Sequence, residues 1–202
     1  GDFFEFMMTS EERYQFQRVG VFVDIQNMYY SAKNLYNANV DFGKVLEAAV
    51  GNRELIRAFA YVIKADIKEE ASFFEALEKR GFEIRAKDLQ VFFGGVKKGD
   101  WDVGIAMDIM RMASKLDVVV LVSGDGDFTE LLKHAKALGC KAEVMAFMES
   151  SSIHLLEACD KFFDLSKHPE FLIRKRRKAI LQPSVGSARL QRPEASVIGK
   201  SA

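Results

Sequence analysis

Short apolar runs alternate with amphipathic stretches through most of this chain. Val19-Gly20-Val21-Phe22-Val23 reads as a first strand, closed by Asp24. Residues 27–36 and 42–50 carry helical spacing, the second stretch capped by Asp41. Leu55 to Ile63 reads as a second strand, and a helix is expected from about Ile67 to Arg80, stopped by Gly81. Phe82 to Arg85 and Leu89 to Phe93 look like strand pieces ahead of a loop of Gly and Lys. The second half repeats the alternation. A helix over 102–116 precedes the run Val118–Val122, and a helix from Phe128 to Leu138 is stopped by Gly139. A strand from Ala142 to Phe147, a helix from Ile153 to Ala158 and a short strand at Phe162–Leu165 come next. The run Val118–Val122 has no polar residue, as a strand buried on both faces should.

Strands alternating with helices imply a parallel sheet with helices on both sides. The expected fold is α/β, a three-layer, Rossmann-like domain with a mostly parallel central sheet. In such sheets ligands bind in the crevice beyond the carboxyl ends of the strands. That rule directs attention to the residues just past each apolar run.

Composition narrows the class. Of 202 residues, 49% are hydrophobic and 29% charged, values of a globular domain. No uncharged apolar run nears the roughly 18 residues that span a bilayer, so no membrane segment is expected. The opening GDFFEFMMTSEERYQF is acidic and lacks an apolar core, so no signal peptide is expected. The two cysteines, Cys140 and Cys159, offer neither a disulfide framework nor a paired-thiol zinc motif, and read as buried free thiols. A soluble cytoplasmic protein is the expectation. The zero net charge hides an asymmetry: from His168 onward there are eight Lys/Arg against two acids, and before it 21 against 27. The divisions expected are an N-terminal extension over 1–17, a domain over 18–167 and a flexible basic tail over 168–202. The tail carries Arg174, Lys175, Arg176, Arg177 and Lys178, read as a phosphate-binding arm or as a solvated tail without a partner.

Acids fall where the crevice rule points. Asp24 ends the first strand, Asp125 and Asp127 come just after Val118–Val122, and Asp102 opens a helix after Lys97-Lys98-Gly99-Asp100-Trp101. Clustered carboxylates repel and need a compensating cation. Oxygen donors without a His or Cys cluster favour Mg²⁺ or Mn²⁺ over zinc. A lone strand-end Asp is more often a helix cap, but several at one crevice strain that account. Asp108 shares the coreward stripe of its helix with Ile105, Ile109 and Met112. It reads equally as a carboxylate satisfied by a buried cation or backbone amides and as part of a metal shell.

The blocks Asp24-Ile25-Gln26-Asn27, Lys98-Gly99-Asp100-Trp101-Asp102-Val103 with Asp108 beyond it, and Ser123-Gly124-Asp125-Gly126-Asp127-Phe128 resemble the signature of the NYN domain. More narrowly they are similar to its bacterial LabA-like branch, grouped with the PIN-like nucleases. The resemblance spans about residues 18–166, with the three blocks in family order. It implies a metal-dependent ribonuclease or RNA-processing factor, one branch being linked to circadian gene regulation. Under it, Asp24, Asp102, Asp125 and Asp127 become metal-site acids, with Asn27 and Ser123 as polar supports and Asp108 at another acidic position.

Phosphodiester hydrolysis needs an activated water, charge stabilisation and help for the leaving alkoxide, which carboxylate-held Mg²⁺ can provide. Asp24 and Asp125 are first choice as ligands, Asp102 and Asp127 complete the shell, and Asn27 orients a water or phosphate oxygen. Lys97, Lys98 and Trp101 are candidate RNA contacts, by charge and by stacking, with solubility and packing as their plain alternatives. Tyr29 and Tyr30 carry the same ambiguity. RNA is the expected partner, with a homodimer also considered. The competing function is a regulatory protein that binds RNA or nucleotide without cutting it. A haloacid-dehalogenase-type phosphatase is disfavoured because Gln26 stands where its second Asp belongs, and a dinucleotide site because no glycine-rich loop comes after the first strand.

Overall fold

In the computed structural model, the residues described are 14–64, 70–88, 90–91, 97–98 and 100–174. The strands are β1 (Arg18–Asp24), β2 (Ala38–Val40), β3 (Glu54–Lys64), β4 (Glu83–Asp88), β5 (Gln90–Val91), β6 (Lys97–Lys98), β7 (Val118–Val122), β8 (Lys141–Ala146), β9 (Lys161–Asp164) and β10 (Leu172–Arg174). The helices are α1 (Ile25–Tyr36), α2 (Phe42–Val50), α3 (Glu70–Lys79), α4 (Asp102–Met112), α5 (Thr129–Ala137) and α6 (Ile153–Ala158). Among these residues no helix is long and apolar enough to cross a membrane.

Six parallel strands form the central sheet in the order β4-β3-β1-β7-β8-β9. The chain builds leftward from β1 through β3 to β4, then returns to place β7 on the other side of β1. Right-handed crossovers therefore put the helices of the two halves on opposite faces. Phe42 of α2 meets Phe73 of α3 on one face, while α4, α5 and α6 pack in succession on the other. All five residues of β7 are buried, and so are residues 19–24 of β1. The core consists of these strands with Phe22, Phe59, Tyr61, Ile105, Ile109, Phe128 and Phe147.

Most expected elements fall within one or two residues of their places. Gly81 and Gly139, at φ 99° and 98°, end α3 and α5 in the left-handed region that a side chain resists. The helix expected over 102–116 ends at Met112 and tightens into a 3₁₀ turn over Ala113–Lys115. The helix expected from Phe128 begins as a 3₁₀ turn over Gly126–Phe128, with α5 proper starting at Thr129. Lys97 and Lys98, read as loop, pair antiparallel with Val91 and Gln90. Cys140 is buried, but Cys159 is only half-buried.

Two short strands escape the sequence pattern. β2 and β10 pair antiparallel, Leu172 with Val40 and Arg174 with Ala38. Three residues show no periodicity, and the partners lie far apart in the chain. Residues 168–174, assigned to the tail by the sequence, thus stay on the domain. A 3₁₀ turn at Pro169–Phe171 seats Phe171, 6% exposed, in the core. The basic run Lys175–Lys178 lies outside the described residues.

Candidate metal centre

The order of strands reverses between β1 and β7, which makes their carboxyl ends the topological switch point. The two strands run side by side, Val23 beside Val122. Asp24 and Ser123 therefore emerge next to each other.

Asp24 begins as a helix cap. Its Oδ1 accepts the Asn27 amide N–H at 3.1 Å, starting α1. Its Oδ2 accepts the Ser123 hydroxyl at 3.3 Å. The Ser123 oxygen in turn accepts the Asp125 N–H at 3.2 Å, and Asn27 Oδ1 accepts the Gly124 N–H at 3.0 Å. Asp125 Oδ1 caps the 3₁₀ turn by accepting the Asp127 N–H at 2.9 Å. Capping and clustering thus coexist in the same carboxylates.

The loop after β8 supports this turn from behind. Ser152 N–H donates to the Gly124 carbonyl at 3.0 Å. A Cβ on Gly124 would stand 3.0 Å from the Ser150 carbonyl oxygen, and one on Gly126 2.7 Å from Ser152 Oγ. Both glycines are needed for close approach. Sequence reasoning passed over Ser150–Ser152, although their place just past a strand's carboxyl end was the available signal.

Asp102 arrives from the opposite side, in the first turn of α4, where the helix N-terminus favours a negative charge. One carboxylate oxygen from each of Asp24, Asp102 and Asp125 lies within 4.8 Å of the other two. Opposed ligands on one Mg²⁺ stand about 4.2 Å apart, so a limit of 4.8 Å brings the three oxygens near the spacing that one small cation needs. Asp24 is 8% exposed. Burial pushes its pKa up to about 6, with Asp102 and Asp125 adding to the rise and the Asn27 and Ser123 hydrogen bonds opposing it. Asp102 is raised as well, by burial first and then by Asp125, Asp100 and Asp127, against Lys87. Such a set can hold a hard divalent cation, whose charge would relieve the repulsion.

Asp127 does not join the trio. Its side chain is exposed and borders a groove of about 610 Å³ between α5 and α6, shared with Glu130, Lys133, His154 and Glu157. It reaches the centre through its charge on Asp102. Asp108 is also elsewhere. Its Oδ2 accepts from Tyr61 Oη at 3.0 Å and Arg85 Nε at 3.3 Å, and Oδ1 accepts from Arg111 at 3.4 Å. It is a satisfied carboxylate. Its charge and burial hold the Tyr61 phenol above its ordinary pKa, burial being the larger cause.

Trp101 is committed to packing. Its indole N–H donates to the Val62 carbonyl at 2.8 Å, and its ring lies against Gly104 and tilts toward Tyr61. Lys87 Nζ stands 4.6 Å from the ring centroid, a cation–π contact beside Asp102. The backbone of Lys97 and Lys98 sits in β6, shortly before α4. Arg174 is the last described residue, remote in sequence from the acids.

A family model for the NYN domain matches residues 18–166. The chain belongs to the NYN domain family. The match ends where the six-stranded sheet ends, so this NYN domain includes all three converging acids. The chain is 27% identical over 164 residues to the "Low amplitude and bright protein LabA" of Synechococcus elongatus, covering 77% of this chain and 87% of that protein. A crystal structure of a protein of unknown function from Vibrio parahaemolyticus RIMD 2210633 superposes with a TM-score of 0.73 at 32% identity, covering 82% of this NYN protein and all of that chain.

Proposed function

We propose that this NYN domain protein is a metal-dependent ribonuclease that hydrolyses RNA phosphodiester bonds at the Asp24–Asp102–Asp125 centre. The observation that carries the reading is the convergence of three carboxylates, one of them buried, at the switch point of the sheet. A purely structural role would favour pairing with cations, as Asp108 is paired. An all-oxygen donor set fits Mg²⁺ or Mn²⁺. Bound there, such an ion supplies an activated water and stabilises charge on the phosphoryl and leaving oxygens.

The chain's own groups hold and orient. Asp24 and Asp125, tied by capping bonds and by Ser123, present oxygens from rigid backbone. Asp102 closes the set from α4. Asn27 accepts the Gly124 N–H through Oδ1, which fixes the amide so that Nδ2 is the donor left for a phosphate oxygen or water. Asp127 contributes field beside the centre. RNA is the proposed partner, with Lys97, Lys98 and the run after Arg174 as proposed phosphate contacts. A cytoplasmic setting is proposed with it, in keeping with two free thiols.

The test is cleavage of varied single-stranded and structured RNAs during Mg²⁺ and Mn²⁺ titration, with Asp24→Asn as control. Cleavage by the wild type and none by the variant is expected. The same ions should raise the melting temperature, the gain in folding free energy being about 2.7 kcal/mol at 100 times the dissociation constant. RNA retention with no cleavage under any metal would overturn the reading in favour of a binding-only regulator.

A further inference from the structure

We infer that Tyr29 and Tyr30 form a stacking step that holds a nucleobase beside the acidic centre. The inference rests on the proposed RNA substrate and adds residues that grip it. Both tyrosines lie on α1, whose first turn carries Asn27 and whose cap is Asp24. Residues three apart on a helix are neighbours, with Cβ atoms about 5–6 Å apart, which places Tyr30 next to Asn27. Helical side chains lean toward the N-terminus, so these rings cover the turn nearest the centre, not the far end of α1.

Neither ring is spent on the core. Tyr29 is 44% exposed and Tyr30 54%, while Ile25, Met28 and Ala32 take the buried face of the same helix. The two rings meet edge to face, centroids 5.5 Å apart at 75°. Among the described residues neither meets any other ring. Trp101, by contrast, is bonded and packed, whereas the two tyrosines stand exposed on the helix that Asp24 caps.

Charge explains why bases would be the handle. Asp24, Asp100, Asp102, Asp125 and Asp127 make the mouth acidic, with Lys87 opposing. Phosphates approaching such a mouth are repelled wherever no metal ion intervenes. A strand held there gains more from its uncharged faces, and stacking on an aromatic ring serves any base. Val103, next to Asp102 in the first turn of α4, is an apolar side chain left 74% exposed.

The experiment measures binding and cutting separately in the full chain. In an Asp24→Asn background, which cannot cut under the proposed mechanism, affinity for single-stranded oligo(A) and oligo(U) is compared with that for an A-form duplex. Tyr29→Ala/Tyr30→Ala should weaken single-strand binding at least fivefold, the range for one lost stack being about 5- to 150-fold. Tyr29→Phe/Tyr30→Phe should retain it, and duplex binding should not move. Unchanged single-strand affinity in the alanine pair, or equal losses for strand and duplex, would overturn the step. The alanine pair in the otherwise wild-type chain should show raised KM in cleavage with the melting temperature unaltered. Should the wild type fail to cleave while the alanine pair still loses single-strand affinity, the step stands and the nuclease reading falls. Cleavage that proceeds with affinity indifferent to the tyrosines has the reverse meaning.

Discussion

Asp24 is held by two hydrogen bonds that favour its charge and by a burial that opposes it, and burial prevails. The folded pKa near 6 against an ordinary 3.8 sets the sign of the pH effect. Below about pH 4 the carboxyl is protonated folded and unfolded, and it costs nothing. From about pH 4 to 6 the unfolded chain releases a proton that the fold retains, so metal-free stability falls. Above about pH 6 the cost is complete, on the order of 3 kcal/mol. Asp24→Asn escapes it. Its stability advantage over wild type, from urea titrations without metal, should therefore grow between about pH 4 and 6 and then level off. A difference independent of pH would mean that the buried charge is not the source. Asp108 supplies the contrast. Tied to Tyr61, Arg85 and Arg111, it should cost about 1–3 kcal/mol on conversion to Asn. The metal-induced rise in melting temperature should survive that change.

At the scale of elements, the centre depends on how one turn seats on another. The turn after β7 carries Ser123, Gly124 and Asp125, and the loop after β8 presses its serines against both glycines. Gly124→Ala would drive a methyl to 3.0 Å from the Ser150 carbonyl oxygen. The expected outcome is a loss of about 1–3 kcal/mol. Because Asp125 moves with the turn, Mg²⁺ affinity measured by titration calorimetry should fall too. Loss of stability with affinity intact would show that the loop supports the fold but not the centre.

Over the whole molecule, the folded body reaches past His168, where charge alone starts the tail. Phe171 is buried and β10 completes a pair with β2. A cut after His168 should therefore cost stability, roughly 3–5 kcal/mol for the lost phenylalanine alone. A cut after Arg174 keeps Phe171 and the β2–β10 pair. It removes seven of the tail's eight basic residues, so RNA affinity should fall and its salt dependence flatten as fewer counterions are released. Filter binding across a salt series with both truncated chains checks this. If removing the basic arm alters neither affinity nor slope, the arm does not touch RNA.

How much could be read before folding depends on where the information sits. The sheet's strands and helices were legible because each buries a face, and burial imposes a period on neighbouring residues: Val118–Val122 and Ile153–Ala158 match their expected limits. The acids were legible as candidates because β1 and β7 announce their own ends. The sequence set Asp108 apart by its coreward stripe and ranked Asp125 ahead of Asp127, but it did not show which carboxylates are already paired or which face the centre. Those distinctions come from Arg85 on β4, which pairs with the Asp108 charge, and Tyr61 on β3, which donates a hydrogen bond to it, and from a 3₁₀ turn that aims one carboxylate inward and leaves its neighbour exposed. The pairing of β2 with β10 and the fit of Ser150–Ser152 against Gly124 join residues far apart in the chain. The sequence by itself determined the layers and the end of the sheet where chemistry could gather. Which carboxylates meet, and which are already paired, was decided only by tertiary structure, because charge and space are shared among side chains the chain order keeps apart.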